Sequence, residues 1–174
     1  MKKLISSLLV AGCVAGCSSF RLNQKKDLVM RCFDRASKIQ YQAEPKGIDY
    51  WKSPSETMRD KKGDCEDMAF YLEYLLKRQG IPCRTVMGRT NLFKVEKDNL
   101  GRIIIHAWVE YKINETPYVL DPTSGKIHNK FTIPFNYLSI STLKETTKNK
   151  KEKESYERIE KKLKEYYKRY FWLF

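Results

Sequence analysis

The sequence predicts one domain in which helices pack with antiparallel strands. An amphipathic helix is predicted after Asp64, because apolar side chains recur there at helical spacing, at Cys65, Met68, Ala69, Leu72, Leu75 and Leu76. A β-hairpin is predicted farther along, because apolar runs at 103–111 and 118–121 flank the turn residues 114–116. The 174 residues have the length of a single domain with one core.

The N-terminus has the features of an export signal. Lys2 and Lys3 precede an apolar stretch at 4–16, which is shorter than the roughly 20 residues of a membrane span. The small residues before Cys17 resemble the bacterial lipoprotein signal, in which this cysteine becomes the lipid-modified first residue. Cys13 is an earlier match to the same signal, but it leaves a shorter apolar region. The alternative to a lipoprotein signal is an ordinary signal peptide or a short anchor helix. We therefore expect a lipoprotein of the cell envelope that faces the periplasm or the exterior.

The chain is strongly basic, with a formal net charge of +13 at pH 7. Because an exported protein rarely meets nucleic acid, no nucleic-acid partner is expected. Anionic lipid headgroups are the preferred partner for the basic surface, which adds to the membrane contact of the lipid anchor. A basic surface that serves only solubility is the alternative.

Changes in composition divide the chain into four segments. These are a signal peptide at 1–17, a polar tether at 18–26, the folded domain at 27–143 and a basic amphipathic helix at 144–174. Within the domain, a first helix is predicted at 27–42. The apolar stripe of the last segment either lies at a membrane interface or packs on the core, and consists of Tyr156, Ile159, Leu163, Tyr166, Tyr167 and Tyr170.

The five cysteines leave an odd number in the mature domain. If Cys13 and Cys17 belong to the signal and the anchor, three remain, so at least one is free unless chains pair. A disulfide between Cys32 and Cys83 would leave Cys65 as the free thiol in an oxidising compartment, and the sequence leaves this pairing open. The spacing of cysteine and histidine does not match a zinc site.

Cys65 is a candidate nucleophile because it opens the predicted helix. Asp64 can cap this helix, and the unpaired N–H groups of the first turn favour a thiolate. The nearby acids oppose this effect, so activation requires a cationic partner such as a histidine. The alternative role for Cys65 is a small buried hydrophobe on the helix face.

His106 and Asp121 are candidate partners because they lie on the two strands of the predicted hairpin. His106 shares one face of its strand with Trp108 and Glu110, since side chains alternate between faces. Asp121 ends the adjacent strand, so the two residues can be neighbours if the strands pair. Asp121 would then orient the imidazole, which would take the proton of a thiol. A hydrogen-bonded structural histidine is the alternative.

Four sequence blocks together resemble the bacterial transglutaminase-like superfamily. They follow the family order between Trp51 and Gly125 and read Gly63-Asp64-Cys65-Glu66-Asp67-Met68-Ala69, Gly80-Ile81-Pro82, His106-Ala107-Trp108-Val109-Glu110 and Leu120-Asp121-Pro122-Thr123. The resemblance implies a papain-like α+β fold in which a helix-start cysteine packs against an antiparallel sheet. It also implies a triad of Cys65 as nucleophile, His106 as base and Asp121 as orienter. His128 matches no block and is interpreted as structural.

A related branch, the bacterial transglutaminase-like cysteine proteinases, is similar at Trp51, at Ser53-Pro54 and at residues 63–67. Acids that flank the cysteine can bind calcium in that branch, which would make Asp64 and Glu66 metal ligands here. The histidine and aspartate blocks instead resemble the general transglutaminase-like core. We therefore expect no required cofactor and leave calcium open, with helix capping as the alternative role for these acids.

The resemblance implies a thiol enzyme that transfers acyl groups through a thioester at Cys65. The Cys65 backbone N–H and the Trp51 indole N–H are candidate donors to the oxyanion. Attack by water would make the protein a cysteine protease or amidase that acts on a protein or peptide, which is the preferred interpretation. Cross-linking or deamidation by a transglutaminase, or a non-catalytic membrane-tethered binding module, are the alternatives. A monomer is expected.

Overall fold

The computed structural model of the protein describes residues 22–45, 47–90, 105–132 and 137–171. The predicted signal, Cys13 and Cys17 lie outside these ranges. The helices are α1 (residues 22–37), α2 (Pro54–Asp60), α3 (Cys65–Arg78), α4 (Ile140–Thr146) and α5 (Lys150–Tyr170). The strands are β1 (Gln40–Tyr41), β2 (Lys62–Gly63), β3 (Cys83–Thr90), β4 (His106–Ile113), β5 (Thr116–Asp121), β6 (Lys126–Asn129) and β7 (Tyr137–Ser139). Within the described ranges, every helix is too short or too polar to cross a bilayer.

Five strands form one antiparallel sheet in the order β6-β5-β4-β3-β7, while β1 and β2 pair in parallel as a separate ribbon. The predicted hairpin is confirmed, because β4 and β5 pair with Val109 opposite Leu120. Asn114 and Glu115 turn the chain with φ values of 47° and 63°, as a two-residue hairpin loop requires. The mixture of helices and an antiparallel sheet confirms the predicted α+β class.

Helix α3 confirms the amphipathic helix predicted after Asp64. The Asp64 carboxylate accepts a hydrogen bond from the Asp67 backbone N–H at 3.3 Å and so caps the helix. Apolar side chains of the helix enter the same core as Ala107 and Val109 of β4. This packing places the first residue of α3, Cys65, beside the beginning of β4.

Helix α1 begins and ends earlier than the predicted range 27–42. It covers residues 22–37, and Ile39 follows it as a buried residue. The apolar spacing continues through Ile39, but the backbone from Gln40 pairs with Lys62 of β2 instead. The prediction of the helix end was therefore wrong, because a strand contact between distant residues competes with local periodicity.

Helix α5 packs its apolar stripe against the core. Tyr166 stacks on Phe70 of α3 with ring centroids 3.8 Å apart. The Tyr167 hydroxyl donates a hydrogen bond of 2.6 Å to the fully buried Glu73 carboxylate, which also accepts from the Thr85 backbone N–H at 2.8 Å. Of the two interpretations of this stripe, the structure therefore shows the one in which it docks on the domain.

Cys32, Cys65 and Cys83 are all free thiols. The pairing of Cys32 with Cys83 that the sequence left open is therefore absent from the structure. Cys83 is engaged differently, since its Sγ–H points to the Glu73 carbonyl oxygen at 3.8 Å.

Candidate active site

Cys65 lies where α3 meets the beginning of the central strand β4. Its Sγ–H donates a hydrogen bond of 3.0 Å to Glu66 Oε2, and the same sulfur lies 4.0 Å from the carbonyl oxygen of Ile105. Ile105 directly precedes His106, the first residue of β4. The fold therefore brings the predicted nucleophile to the backbone position next to the predicted base.

Burial and the neighbouring acids together outweigh the effect of the helix terminus on Cys65. Burial, followed by the neighbouring Glu66 carboxyl, raises the pKa of the Cys65 thiol well above its usual range. Burial and the Asp64 charge raise the pKa of Glu66 to about 8. The sequence predicted both the favourable helix terminus and the opposing acids, and the structure adds burial as the largest effect on the pKa of Cys65. The thiol is therefore neutral at pH 7 in this arrangement.

His106 and Asp121 form a buried pair, with His106 Nε2 2.9 Å from Asp121 Oδ2. The hairpin register brings them together, because Asp121 ends β5 beside the strand that His106 begins. Since Nε2 faces the carboxylate, Nδ1 is the ring nitrogen turned away from Asp121. The Asp121 carboxylate thus fixes which ring nitrogen faces it and holds the imidazole in one orientation.

Further donors hold the Asp121 carboxylate in place. The backbone N–H groups of Thr123 and Ser124 donate to Oδ1 at 3.1 and 3.2 Å, and the Tyr137 hydroxyl donates to Oδ2 at 3.1 Å. Burial opposes ionisation of Asp121, but the hydrogen bond to His106 and the histidine charge outweigh it and lower the pKa of this carboxyl. Asp121 is therefore an oriented carboxylate.

Tyr137 is a site residue that sequence reasoning missed. It is a buried residue on the edge strand β7, and its ring packs edge-on against Trp108 with centroids 5.0 Å apart. A lone aromatic residue in a mixed segment carries no motif. Only the pairing of β7 with β3, which places Tyr137 opposite Thr90, brings its hydroxyl to Asp121.

Trp51 enters the same site from the chain between β1 and α2. The Lys52 backbone N–H donates to Asp67 Oδ1 at 2.8 Å, which ties this segment to the first turn of α3. A capping box at Ser53 then starts α2. Trp51 lines a cavity of about 150 Å³ together with His106 and Glu66. Its buried indole N–H has no hydrogen-bond partner among the described residues, which is rare for a buried donor.

The acids beside Cys65 do not form a metal centre in the described structure. Asp64 caps α3 and Glu66 accepts the thiol hydrogen bond. Across the described ranges, three or more acidic, histidine or cysteine side chains never come together in a way that could hold a metal ion. Within the described ranges these donors therefore do not form a calcium site by themselves, and no chemical step is derived through one.

A family model described as the transglutaminase-like superfamily matches residues 19–122, which is more than half of the chain. The matched range includes Cys65, His106 and Asp121. The chain therefore belongs to the transglutaminase-like superfamily, as the sequence blocks predicted.

The chain is also similar to several known proteins in fold or in sequence. The calcium-bound structure of Legionella pneumophila LapG is 24% identical with a TM-score of 0.51, and the match covers 64% of this chain and 61% of LapG. The periplasmic domain of Pseudomonas aeruginosa TgpA is also 24% identical, with a TM-score of 0.42 and coverage of 63% and 43%. An uncharacterized acetyltransferase of Acanthamoeba polyphaga mimivirus is 26% identical over 123 residues, which are 71% of this chain and 58% of that protein. The chain thus spans less than two thirds of each of these proteins.

Proposed function

We propose that the protein is a thiol enzyme that transfers an acyl group from a protein or peptide to water through a thioester at Cys65. The observation that carries this proposal is the buried His106–Asp121 pair, at 2.9 Å, next to the helix-start cysteine. A cysteine, an imidazole and an orienting carboxylate are the three roles that nucleophilic acyl transfer requires. The superfamily assignment supports the same chemistry.

In the proposed reaction, His106 Nδ1 takes the thiol proton as the Cys65 sulfur attacks the acyl carbon of the substrate amide. The carbonyl oxygen becomes an oxyanion, and the C–N bond then breaks as the imidazolium returns the proton to the leaving amine. Water attacks the thioester with His106 as base again, which releases a carboxylic acid and restores the thiol. Asp121 stays ionised throughout and orients the imidazole.

The proposed oxyanion site uses the Cys65 backbone N–H and the Trp51 indole N–H. The indole nitrogen supports this role because it is a buried donor with no partner, in a cavity that it shares with the proposed base. An acyl oxygen in that cavity would satisfy the donor, and more strongly once the oxygen is charged.

Burial keeps the Cys65 thiol neutral in the resting enzyme, where the thiol donates its hydrogen to Glu66. The hydrogen bond from Cys65 Sγ to Glu66 Oε2 must be exchanged for one to the imidazole before attack. Because the pKa of Glu66 is raised to about 8, a protonated Glu66 removes the opposing charge at neutral pH. Activation of Cys65 thus follows from His106 and from neutralisation of Glu66.

Hydrolysis is favoured over cross-linking because Trp51, Ser53-Pro54 and residues 63–67 resemble the bacterial transglutaminase-like cysteine proteinases. We also propose, from the lipoprotein-like N-terminus and the net charge of +13, that the enzyme works at an envelope membrane surface.

The test is incubation of the protein with casein in the presence of a fluorescent primary amine. New peptide N-termini indicate hydrolysis, and amine incorporation at glutamine indicates cross-linking chemistry. We expect hydrolysis that Cys65→Ala and His106→Ala each abolish. Full hydrolysis by Cys65→Ala would refute the mechanism, and amine incorporation as the main product would replace hydrolysis by transamidation.

A further inference from the structure

We infer that helix α5 is an autoinhibitory cover, which closes the candidate active site and must separate from residues 49–52 before a peptide substrate can bind. This inference rests on the proposed function, because it takes the Cys65–His106 region as the place where substrate binds. It assigns to the basic C-terminal helix a role in controlling access to the site.

Lys162 forms the most direct closing contact. Its Nζ donates to both the backbone oxygen and the Oδ1 of Asp49, each at 2.6 Å. The same ammonium lies 4.2 Å from the centre of the Trp51 ring, a distance at which cation–π attraction is strong. One side chain of α5 therefore ties down the segment that carries the proposed oxyanion donor.

Two more α5 residues complete the closure. The Tyr166 hydroxyl donates to the Lys52 backbone oxygen at 2.6 Å, and its ring meets Trp51 edge-on at 6.1 Å. Ile159, one turn before Lys162, lines the cavity that contains His106. The helix thus forms a wall of the site and also covers Trp51.

The space left under α5 is too small for a peptide. The cavity beside His106 has about 150 Å³, whereas ligand sites usually have roughly 300–1,000 Å³. In this closed arrangement the described part of the chain supplies no hydrogen-bond acceptor to the Trp51 indole N–H. A substrate oxygen would supply that partner, so substrate binding favours the open arrangement over the closed one.

The contacts that α5 makes with the rest of the domain differ in how easily water can replace them. The Asp49 and Lys162 side chains are 67% and 33% exposed, so water can replace their ion pair. Tyr167 is anchored differently, on the fully buried Glu73. Opening therefore begins at the Lys162 contact with Asp49, while the Tyr167 end of the helix keeps its place on the core.

The test compares Lys162→Glu with Lys164→Glu in the full chain. Both variants reverse one lysine charge on the same helix, but the Lys164 side chain is exposed to solvent and so serves as the control. Each protein is treated with iodoacetamide and with the bulkier N-benzyl iodoacetamide, and alkylation is measured by peptide mass at every cysteine. Cys32 and Cys83 serve as internal references for general loosening, since they lie away from the contact with residues 49–52.

We expect Lys162→Glu to accelerate bulky-reagent alkylation of Cys65 by about three- to tenfold, as loss of one ion pair and one cation–π contact implies. Cys32 and Cys83 should keep their wild-type rates, and Lys164→Glu should match the wild type at all three. Tyr166→Phe, which loses only the bond to Lys52, should give a smaller acceleration in the same direction. Unchanged Cys65 labelling in both Lys162→Glu and Tyr166→Phe would overturn the inference.

Equal acceleration at all three cysteines in both variants would also overturn it, because α5 would then support the whole fold. The result is independent of the proposed acyl transfer, since alkylation requires access to the sulfur and its ionisation but no acyl group. If Cys65→Ala retained hydrolysis while Lys162→Glu still exposed Cys65, the cover would stand and the proposed function would fall.

Discussion

Replacing Trp51 by phenylalanine separates the proposed oxyanion contact from the packing of the same side chain. Phenylalanine keeps an aromatic ring near Phe70, whose centroid lies 5.5 Å from that of Trp51. It removes the indole N–H, which has no hydrogen-bond partner within the described ranges. The variant therefore breaks no hydrogen bond of the folded state, and we expect a loss of only about 1 kcal/mol in the free energy of unfolding.

The effect on acyl transfer should be much larger. Loss of one oxyanion donor typically lowers the rate by 100- to 1,000-fold, about 2.7–4 kcal/mol in the activation free energy. We expect acylation of Cys65 by p-nitrophenyl acetate to fall by about 100-fold in Trp51→Phe. Alkylation by iodoacetamide should stay within about twofold, because displacement at a saturated carbon forms no oxyanion.

The assay compares the two reagents on the same protein preparations. Release of p-nitrophenol gives the acylation rate, peptide mass gives the alkylation rate at Cys65, and urea unfolding gives the stability. A Trp51→Phe variant that acylates at the wild-type rate would refute the oxyanion role. Equal losses in acylation and alkylation would show that Trp51 controls access to the thiol and not the charge on the acyl oxygen.

Four further results follow from the structure. Tyr137→Phe should lower the rate of Cys65 acylation by about tenfold, because the Asp121 carboxylate loses the hydrogen bond from the tyrosine hydroxyl. The acidic limb of the plot of acylation rate against pH should also move to higher pH. An unchanged plot would contradict this positioning role. Gly88→Ala should lower the free energy of unfolding by about 3 kcal/mol, since a Cβ there would lie 1.9 Å from the Leu138 carbonyl oxygen. An unchanged urea concentration at the midpoint of unfolding would argue against the close contact between β3 and β7. Because burial raises the pKa of Glu66 from 4.5 to about 8, folding takes up a proton at neutral pH, so the free energy of unfolding should fall as pH rises from 5 to 8. Glu66→Gln should remove much of that slope in urea titrations, and an unaltered slope would assign it to other groups. Calcium or EGTA should change the melting temperature by less than about 1 °C, because the described acids do not form a metal cluster; a rise of several degrees with calcium would show a site completed by other residues.

The sequence predicted the parts of the fold that local patterns determine. The cap at Asp64 and the apolar spacing of α3 are contained in a few neighbouring residues, and the turn at Asn114 and Glu115 defines its own hairpin. The contact between His106 and Asp121 followed from that hairpin, because strand pairing converts a sequence separation into a distance. These features needed no knowledge of distant residues.

The parts that the sequence did not predict depend on contacts between distant residues. The end of α1 is set by pairing of Gln40 with Lys62, and the role of Tyr137 by the position of β7 at the sheet edge. The stripe of α5 could equally suit a membrane or a core, since both environments accept apolar side chains. The pKa of Cys65 likewise required the structure, because the helix terminus and the acids act in opposite directions and burial decides between them.

The most direct test of the central claim is acetylation by p-nitrophenyl acetate, measured by mass at each cysteine of the wild type and of His106→Ala. The account predicts that Cys65 is acetylated much faster than Cys32 or Cys83 in the wild type. His106→Ala should slow Cys65 by at least about 100-fold and leave the other two unchanged, as loss of a general base implies. Acetylation of Cys65 at the rate of Cys83, or a rate that His106→Ala does not change, would contradict a Cys65–His106 acyl-transfer centre.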